Sequence, residues 1–158
     1  MKRFLLFLSL WLMTGWVSAH PEDSSATPSS LQPRSEGERR EYAVTLRFQE
    51  AQLSGICLMK RLGEEVVGSW LNEFGIRAFD FRYDPRKDRI ELSNVLEQLD
   101  RWYIRRTLRR DLSLLLTYDD QPFNGSRRGR RIEHPDAKTW ILHNERHDIS
   151  YRFARLTM

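Results

Sequence analysis

An α+β fold follows from this 158-residue sequence: a curved, incomplete antiparallel β-barrel, laid down as a meander, with a helical segment packed on its concave face. Three observations predict it. Between Glu41 and Ser93, short apolar runs of period two are separated by turns containing Gly, Pro and Asp, the pattern of neighbouring antiparallel strands. Several of these runs are apolar on both sides, which suits a strongly bent sheet better than a flat sheet lying on a helix. Between Ser93 and Tyr118 the apolar period lengthens to three and four residues, that of a helix with one buried stripe.

The first segment is an address. "MKRFLLFLSLWLMTGWVSA" joins a basic start, Lys2 and Arg3, to an apolar run from Phe4 to Met13 and small residues before His20. Those are the parts of a secretory signal peptide, and the run falls short of the roughly 20 residues that span a bilayer. Cleavage after Ala19 is expected. The next stretch, "HPEDSSATPSSLQPRSEGERR", is Ser-, Pro- and charge-rich and has too little apolar surface to offset its ordering entropy. The chain therefore divides into a signal peptide (1–19), a disordered leader (20–40) and a single α+β domain (41–158).

In "EYAVTLRFQ", Tyr42, Val44, Leu46 and Phe48 alternate with polar or small residues, a strand with one buried face. "LSGICLMKR" is a second strand, apolar on both faces. "RLGEE" turns the chain into "EVVGSWLNEF", Gly75 breaks it, and "IRAFDFRYD" and the short "RIELS" follow around "DPRKD". Ser93 can cap the helical stretch "NVLEQLDRWYIRRTLRRDLSLLLTY". Its stripe of Val95, Leu96, Leu99, Trp102 and Tyr103 shifts to Ile104, Leu108, Leu112 and Leu115, so a break is expected between Asp100 and Trp102. After the polar loop "DDQPFNGSRRGRR", the runs "RIEH", "AKTWILH" and "ISYRFARL" read as two or three closing strands, with "NERHD" as the last hairpin turn.

Charge and cysteine usage narrow the function. The formal net charge is +4, and cleavage removes Lys2 and Arg3, so the exported chain is close to balanced. Export and that balance exclude nucleic acid as a partner. The lone Cys57 cannot form an internal disulfide, and it lies too far from the cleavage site to be an acylated first residue; it reads as a small buried apolar residue.

No catalytic signature is present. "HNERHD" would place His143, Glu145 and His147 on one face if it were a strand, with His134 as a fourth metal ligand, but a polar turn breaks that face. The acidic pairs Glu64/Glu65 and Asp119/Asp120 lie in a turn and a loop, with no apolar setting to prepare them for acid–base work. There is no GxSxG, P-loop or GxGxxG, and we expect neither an enzyme nor a cofactor or metal. "RRGRR", Arg127 to Arg131, can pair with phosphates of lipid headgroups or lipopolysaccharide, or be a solvated loop. Asn124 in "NGS" is a glycosylation sequon only in a eukaryotic host.

"GSWLNEFGIRAFDFRY" concentrates Trp70, Phe74, Phe79, Phe81 and Tyr83 on two adjacent strands. Each aromatic buries on the order of 150–250 Å² when covered, and a single helix hides only part of such a sheet. The remainder must meet protein, membrane or an apolar ligand.

The order signal peptide, meander, helical segment and further strands resembles the superfamily of periplasmic lipoprotein carriers and outer-membrane lipoprotein receptors. The resemblance rests on "SGICLMKRLGEEVVGSWLNEFGIRAFDFRY" followed by "ELSNVLEQLDRWYIRRTLRRDL", about half of the chain. It implies an unclosed antiparallel barrel whose hollow takes acyl chains beneath a helical plug. The chain beyond the helix is short for completing such a barrel. The receptor's lipidated cysteine is missing, which points to a soluble carrier in the periplasm or cell envelope rather than an anchored receptor.

The expected ligands are thus acyl chains of lipids or lipoproteins, bound by Trp70, Phe74, Phe79, Phe81, Tyr83, Leu112 and Leu115. Arg101, Arg105 and Arg109, an i, i+4 row, are expected to meet headgroups during transient contact with a membrane surface. The alternative is an envelope interaction module with a packed core, no ligand and a protein partner.

Overall fold

The computed structural model describes residues 30–119, 122–123 and 125–156. The expected signal peptide, residues 20–29 of the expected leader, and Asn124 of the expected sequon lie outside the described residues.

Among the described residues, nine strands form a single antiparallel sheet: β1 (Arg39–Phe48), β2 (Ala51–Leu62), β3 (Glu65–Asn72), β4 (Arg77–Asp84), β5 (Arg89–Ser93), β6 (Ser126–Arg127), β7 (Arg130–Asp136), β8 (Thr139–Asn144) and β9 (Ile149–Arg155). Their order in the sheet is β5-β4-β3-β2-β1-β9-β8-β7-β6. The first and last strands meet in the middle, with Tyr42 opposite Arg155 on one side and Cys57 on the other. The open edges are β5 and β6, and α1 (Trp102–Tyr118) joins them, packing against β5 and β8. This is the unclosed, helix-bearing α+β barrel that the periodicity predicts.

The period of two sets what is buried. Tyr42 and Val44, Cys57 and Met59, Val66 and Trp70, Phe79, Phe81 and Tyr83, Ile90 and Leu92, Trp140 and Leu142, and Tyr151 and Phe153 all belong to the core. Leu108, Leu112, Leu115 and Leu116 of α1 meet them, spaced three and four residues apart as a helix stripe requires. Gly68 sits opposite Phe81, and a Cβ at position 68 would fall inside contact distance of the Phe81 ring. The missing side chain is what lets that aromatic lie across β3.

Two boundaries differ from the sequence reading. The folded part begins before Glu41: Leu31 is fully buried, and Gln32 and Pro33 beside it are buried as well. Tyr42 Oη donates to the Leu31 carbonyl at 2.5 Å, while Gln32 Nε2 donates to the Leu116 carbonyl at 2.6 Å. Residues 30–38 therefore act as a strap that satisfies a carbonyl in the last turn of α1, a group with no partner inside the helix. Ser93 ends β5 rather than capping the helix. A short 3₁₀ turn, Glu97–Leu99, follows, and α1 starts after Arg101, at the expected break.

Candidate functional site

The residues expected to line a lipid cavity divide into two groups. Trp70, Phe79, Phe81, Tyr83, Leu112 and Leu115 come together between sheet and helix, each at most 3% exposed. Trp70 stacks at a tilt on Phe79 (5.5 Å between ring centroids) and edge-on against Phe153 (5.7 Å), and Tyr42 meets Trp140 edge-on at 5.8 Å. Side chains thus fill this layer. The indole Nε1 atoms of Trp70 and Trp140 are buried there with no hydrogen-bond partner among the described residues.

Phe74 is not part of the layer. It stands 78% exposed in the turn between β3 and β4. The turn begins early because the Asn72 side chain accepts hydrogen bonds from the backbone N–H groups of Phe74 (3.0 Å) and Ile76 (2.8 Å), which ends the strand two residues before the aromatic.

Phe74 has company. Ile76 is 54% exposed in the same turn, Trp102 and Tyr103 are 73% and 55% exposed at the start of α1, and Phe48 is 45% exposed at the end of β1. Register places them at one end of the sheet. Glu73 N–H donates to the carbonyl of Ser54, which pairs with Thr45 three positions along β2 from the β1–β2 turn. Leu96 N–H donates to the Ala78 carbonyl, bringing the approach to α1 alongside β4. Their spacing places Trp102 and Tyr103 in the apolar helix stripe, but α1 starts only at Trp102 and leaves both exposed. No helix among the described residues is long and apolar enough to cross a membrane.

The expected arginine row is cut short: Arg105 and Arg109 lie four apart in α1, but the three residues do not share one role. Arg101 precedes the helix. Arg105 pairs with Asp100 (2.6 Å) and donates to the Leu92 carbonyl, so it fixes the start of α1 onto β5. Arg109 alone faces a cleft, at the open seam of the barrel.

Comparison with protein families, with curated proteins and with solved structures finds no match to this chain.

The seam is built by two carboxylates. Asp88, in the β4–β5 turn, accepts hydrogen bonds from Ser113 Oγ (2.6 Å) and Thr117 Oγ1 (2.7 Å) of α1, and Tyr83 Oη bonds to Thr117. On the other side Asp111 of α1, 1% exposed, accepts from Arg130 Nε at 2.5 Å and from Asn144 Nδ2 at 2.9 Å. Tyr151 also bonds to Asp111, and its hydroxyl is pushed well above its ordinary pKa by burial first and by the Asp111 charge second. Arg130 in turn donates to the Arg128 carbonyl (3.1 Å), and Glu145 N–H donates to the Gly129 carbonyl (3.0 Å). The β6–β7 and β8–β9 turns are thereby tied to each other and to the helix.

Between these walls lies a cleft of about 760 Å³ lined by Arg89, Arg109, Arg110, Arg127, Arg128, Arg130 and Arg146, with Asp88 as the one carboxylate among the described residues of its lining. Tyr83, Pro85, Ile90 and Leu114 supply its apolar wall. The sequence reading noticed the basic loop and Arg109 but could not bring them together with Arg89 and Arg146.

Among the described residues, no group of three His, Cys, Asp or Glu side chains is placed to hold a metal ion. His143 lies 3.5 Å from Glu133, while His134 packs against Tyr118 and Trp140. Burial pushes the Cys57 thiol far up, which keeps it protonated and unreactive.

Proposed function

We propose that this is an exported, carrier-like protein that takes up acyl chains of lipids or lipoproteins at a membrane surface of the cell envelope, by binding alone. The single observation that carries the reading is the exposed apolar end. Phe74 and Ile76 in the β3–β4 turn, Trp102 and Tyr103 at the start of α1 and Phe48 at the end of β1 stand 45–78% exposed, where turns and helix starts ordinarily carry polar side chains. Trp and Tyr are the side chains that settle at the boundary between headgroups and hydrocarbon, and Arg101 and Arg106 beside them suit an anionic surface.

Once docked, the protein would exchange α1 for an acyl chain. The chain would lie on Trp70, Phe79, Phe81 and Tyr83 where Leu112 and Leu115 now pack, gaining roughly 0.8 kcal/mol per buried methylene. An ester or carboxyl oxygen on it could accept from the unpartnered Trp70 or Trp140 indole N–H. Flotation with vesicles of phosphatidylcholine and phosphatidylglycerol tests the docking step. The parent protein is expected to float, and Phe74→Ser/Trp102→Ser to stay in the dense fraction while keeping its melting temperature. Equal flotation of the two would sink the reading.

The filled interior favours a second reading, an envelope interaction module with a packed core and a protein partner. Cross-linking in the native envelope that recovers one stoichiometric protein, with no lipid co-purifying, supports that reading over the first.

A further inference from the structure

We propose that the cleft at the open seam is a binding site for a ligand with two or more clustered phosphate groups. The inference goes beyond the acyl-chain reading and does not require it, since the arginines of the seam belong neither to the exposed apolar end nor to the sheet interior; of the residues proposed to meet an acyl chain, Tyr83 alone is shared.

The charge is unbalanced. Of the arginines lining the cleft, Arg130 is paired with Asp111 and Arg89 with Glu91. Arg109, Arg110, Arg127, Arg128 and Arg146 form no ion pair with any described residue; Arg47, Arg61, Arg101, Arg106, Arg152 and Arg155 form none either, but none of those lines the cleft, which alone gathers five such arginines. Like charges gathered in one cleft repel, and an anion bound between them removes that repulsion. Asp88 keeps its negative charge while accepting from two helix hydroxyls, but one carboxylate cannot balance five arginines, and the cleft stays positive.

The site is also held in place. Asp111 fixes Arg130, Arg130 fixes the Arg128 carbonyl, and Gly129 fixes the turn that carries Arg146. The buried ion pair therefore positions the unpaired guanidinium groups from underneath without sharing their charge. Arginine's planar fork matches phosphate oxygens two at a time, so several forks around about 760 Å³ suit a compact polyanion rather than a single monovalent ion.

Two sources could present this chemistry, a soluble polyphosphorylated compound or a diphosphorylated lipid headgroup. Isothermal titration calorimetry with sodium tripolyphosphate probes the first, and flotation with phosphatidylcholine vesicles containing cardiolipin probes the second. The cleft variant is Arg110→Gln/Arg128→Asn/Arg146→Gln, in which Asn suits the positive φ of 54° at position 128. The control, Arg39→Gln/Arg47→Gln/Arg82→Gln, removes equal charge away from the seam. Both are checked for an unchanged melting temperature.

The cleft variant is expected to weaken tripolyphosphate binding by at least about 100-fold, and the control by less than about threefold. Cardiolipin flotation lost in the cleft variant but kept in Phe74→Ser/Trp102→Ser supports the site with a lipid source. Tripolyphosphate binding without cardiolipin dependence supports it with a soluble source. The proposal is overturned if neither probe binds the parent protein, or if the control loses as much as the cleft variant, since diffuse surface charge would then explain the binding.

Discussion

Replacing Asp111 with leucine should be among the most damaging single changes in this fold. The carboxylate is 1% exposed, and its partner Arg130 has a side chain only 8% exposed, held at 2.5 Å. Leucine keeps the branched four-atom shape but strands a buried guanidinium, and it also orphans Asn144 Nδ2 and the Tyr151 hydroxyl. Breaking one side of a buried pair costs about 3–5 kcal/mol. At an urea m-value of about 2 kcal/mol per molar, the unfolding midpoint should fall by about 2 M. Adding Arg130→Met removes the stranded charge, so the double variant should recover more than half of that loss. Chemical denaturation followed by tryptophan fluorescence measures both. A cost below about 1 kcal/mol for Asp111→Leu, or a double variant no more stable than the single one, would refute the assignment of the pair as the seam's anchor.

Gly68→Ala should lower stability by about 1–3 kcal/mol, because its Cβ must push the Phe81 ring out of the core; a thermal melt reads the loss, and an unchanged midpoint would show that the ring moves freely. Glu38 is held down to about 2, against the opposing effect of burial, by backbone hydrogen bonds from Ser35 and Arg34 and by Arg40. Its contribution is complete above about 4.5 and disappears as the pH falls through about 2, so the stability gap between parent and Glu38→Gln should close over that window in acid denaturation. Burial lowers the pKa of His134 below its ordinary 6.5, so the unfolded chain takes up the proton first. Stability should drop as pH falls below about 6.5, and His134→Phe should flatten that slope; an identical slope in both proteins excludes His134 as its source.

The period of two in the strands was legible because each β-residue faces either core or solvent, and the switch to a longer period marked α1 and its break. Leu31 was not legible. One apolar residue within "SSLQPRS" carries no period, and its burial depends on Tyr42 and Leu116, which are distant in sequence. Phe74 was misread because alternation alone extends β3 through it, although Asn72 and Gly75 in "NEFG" do hold the turn signal. The arginine cleft could not be read at all. Arg89, Arg109, Arg128 and Arg146 sit in four separate segments, each an ordinary basic surface residue until the unclosed sheet brings its two edges to the same helix.

That placement makes α1 both the filler of the core and one wall of the cleft, and it sets a limit on any acyl ligand. Leu108, Leu112, Leu115 and Leu116 are 0–3% exposed. Lifting them into water costs roughly 1.5–3 kcal/mol each, or about 6–12 kcal/mol for the face. An incoming chain recovers roughly 0.8 kcal/mol per methylene, so exchange reaches balance at about 8–15 methylenes, and release of the Asp111 anchor pushes the requirement toward the longer end. Brominated fatty acids of increasing length should therefore leave the buried Trp70 and Trp140 fluorescence unquenched near 6 carbons and quench it by about 16. Asp111→Asn, by loosening the helix, should shift the onset to shorter chains. Quenching that ignores chain length, or none at any length, means that α1 never yields its place, and the acyl-exchange step must then be abandoned for the packed-core module.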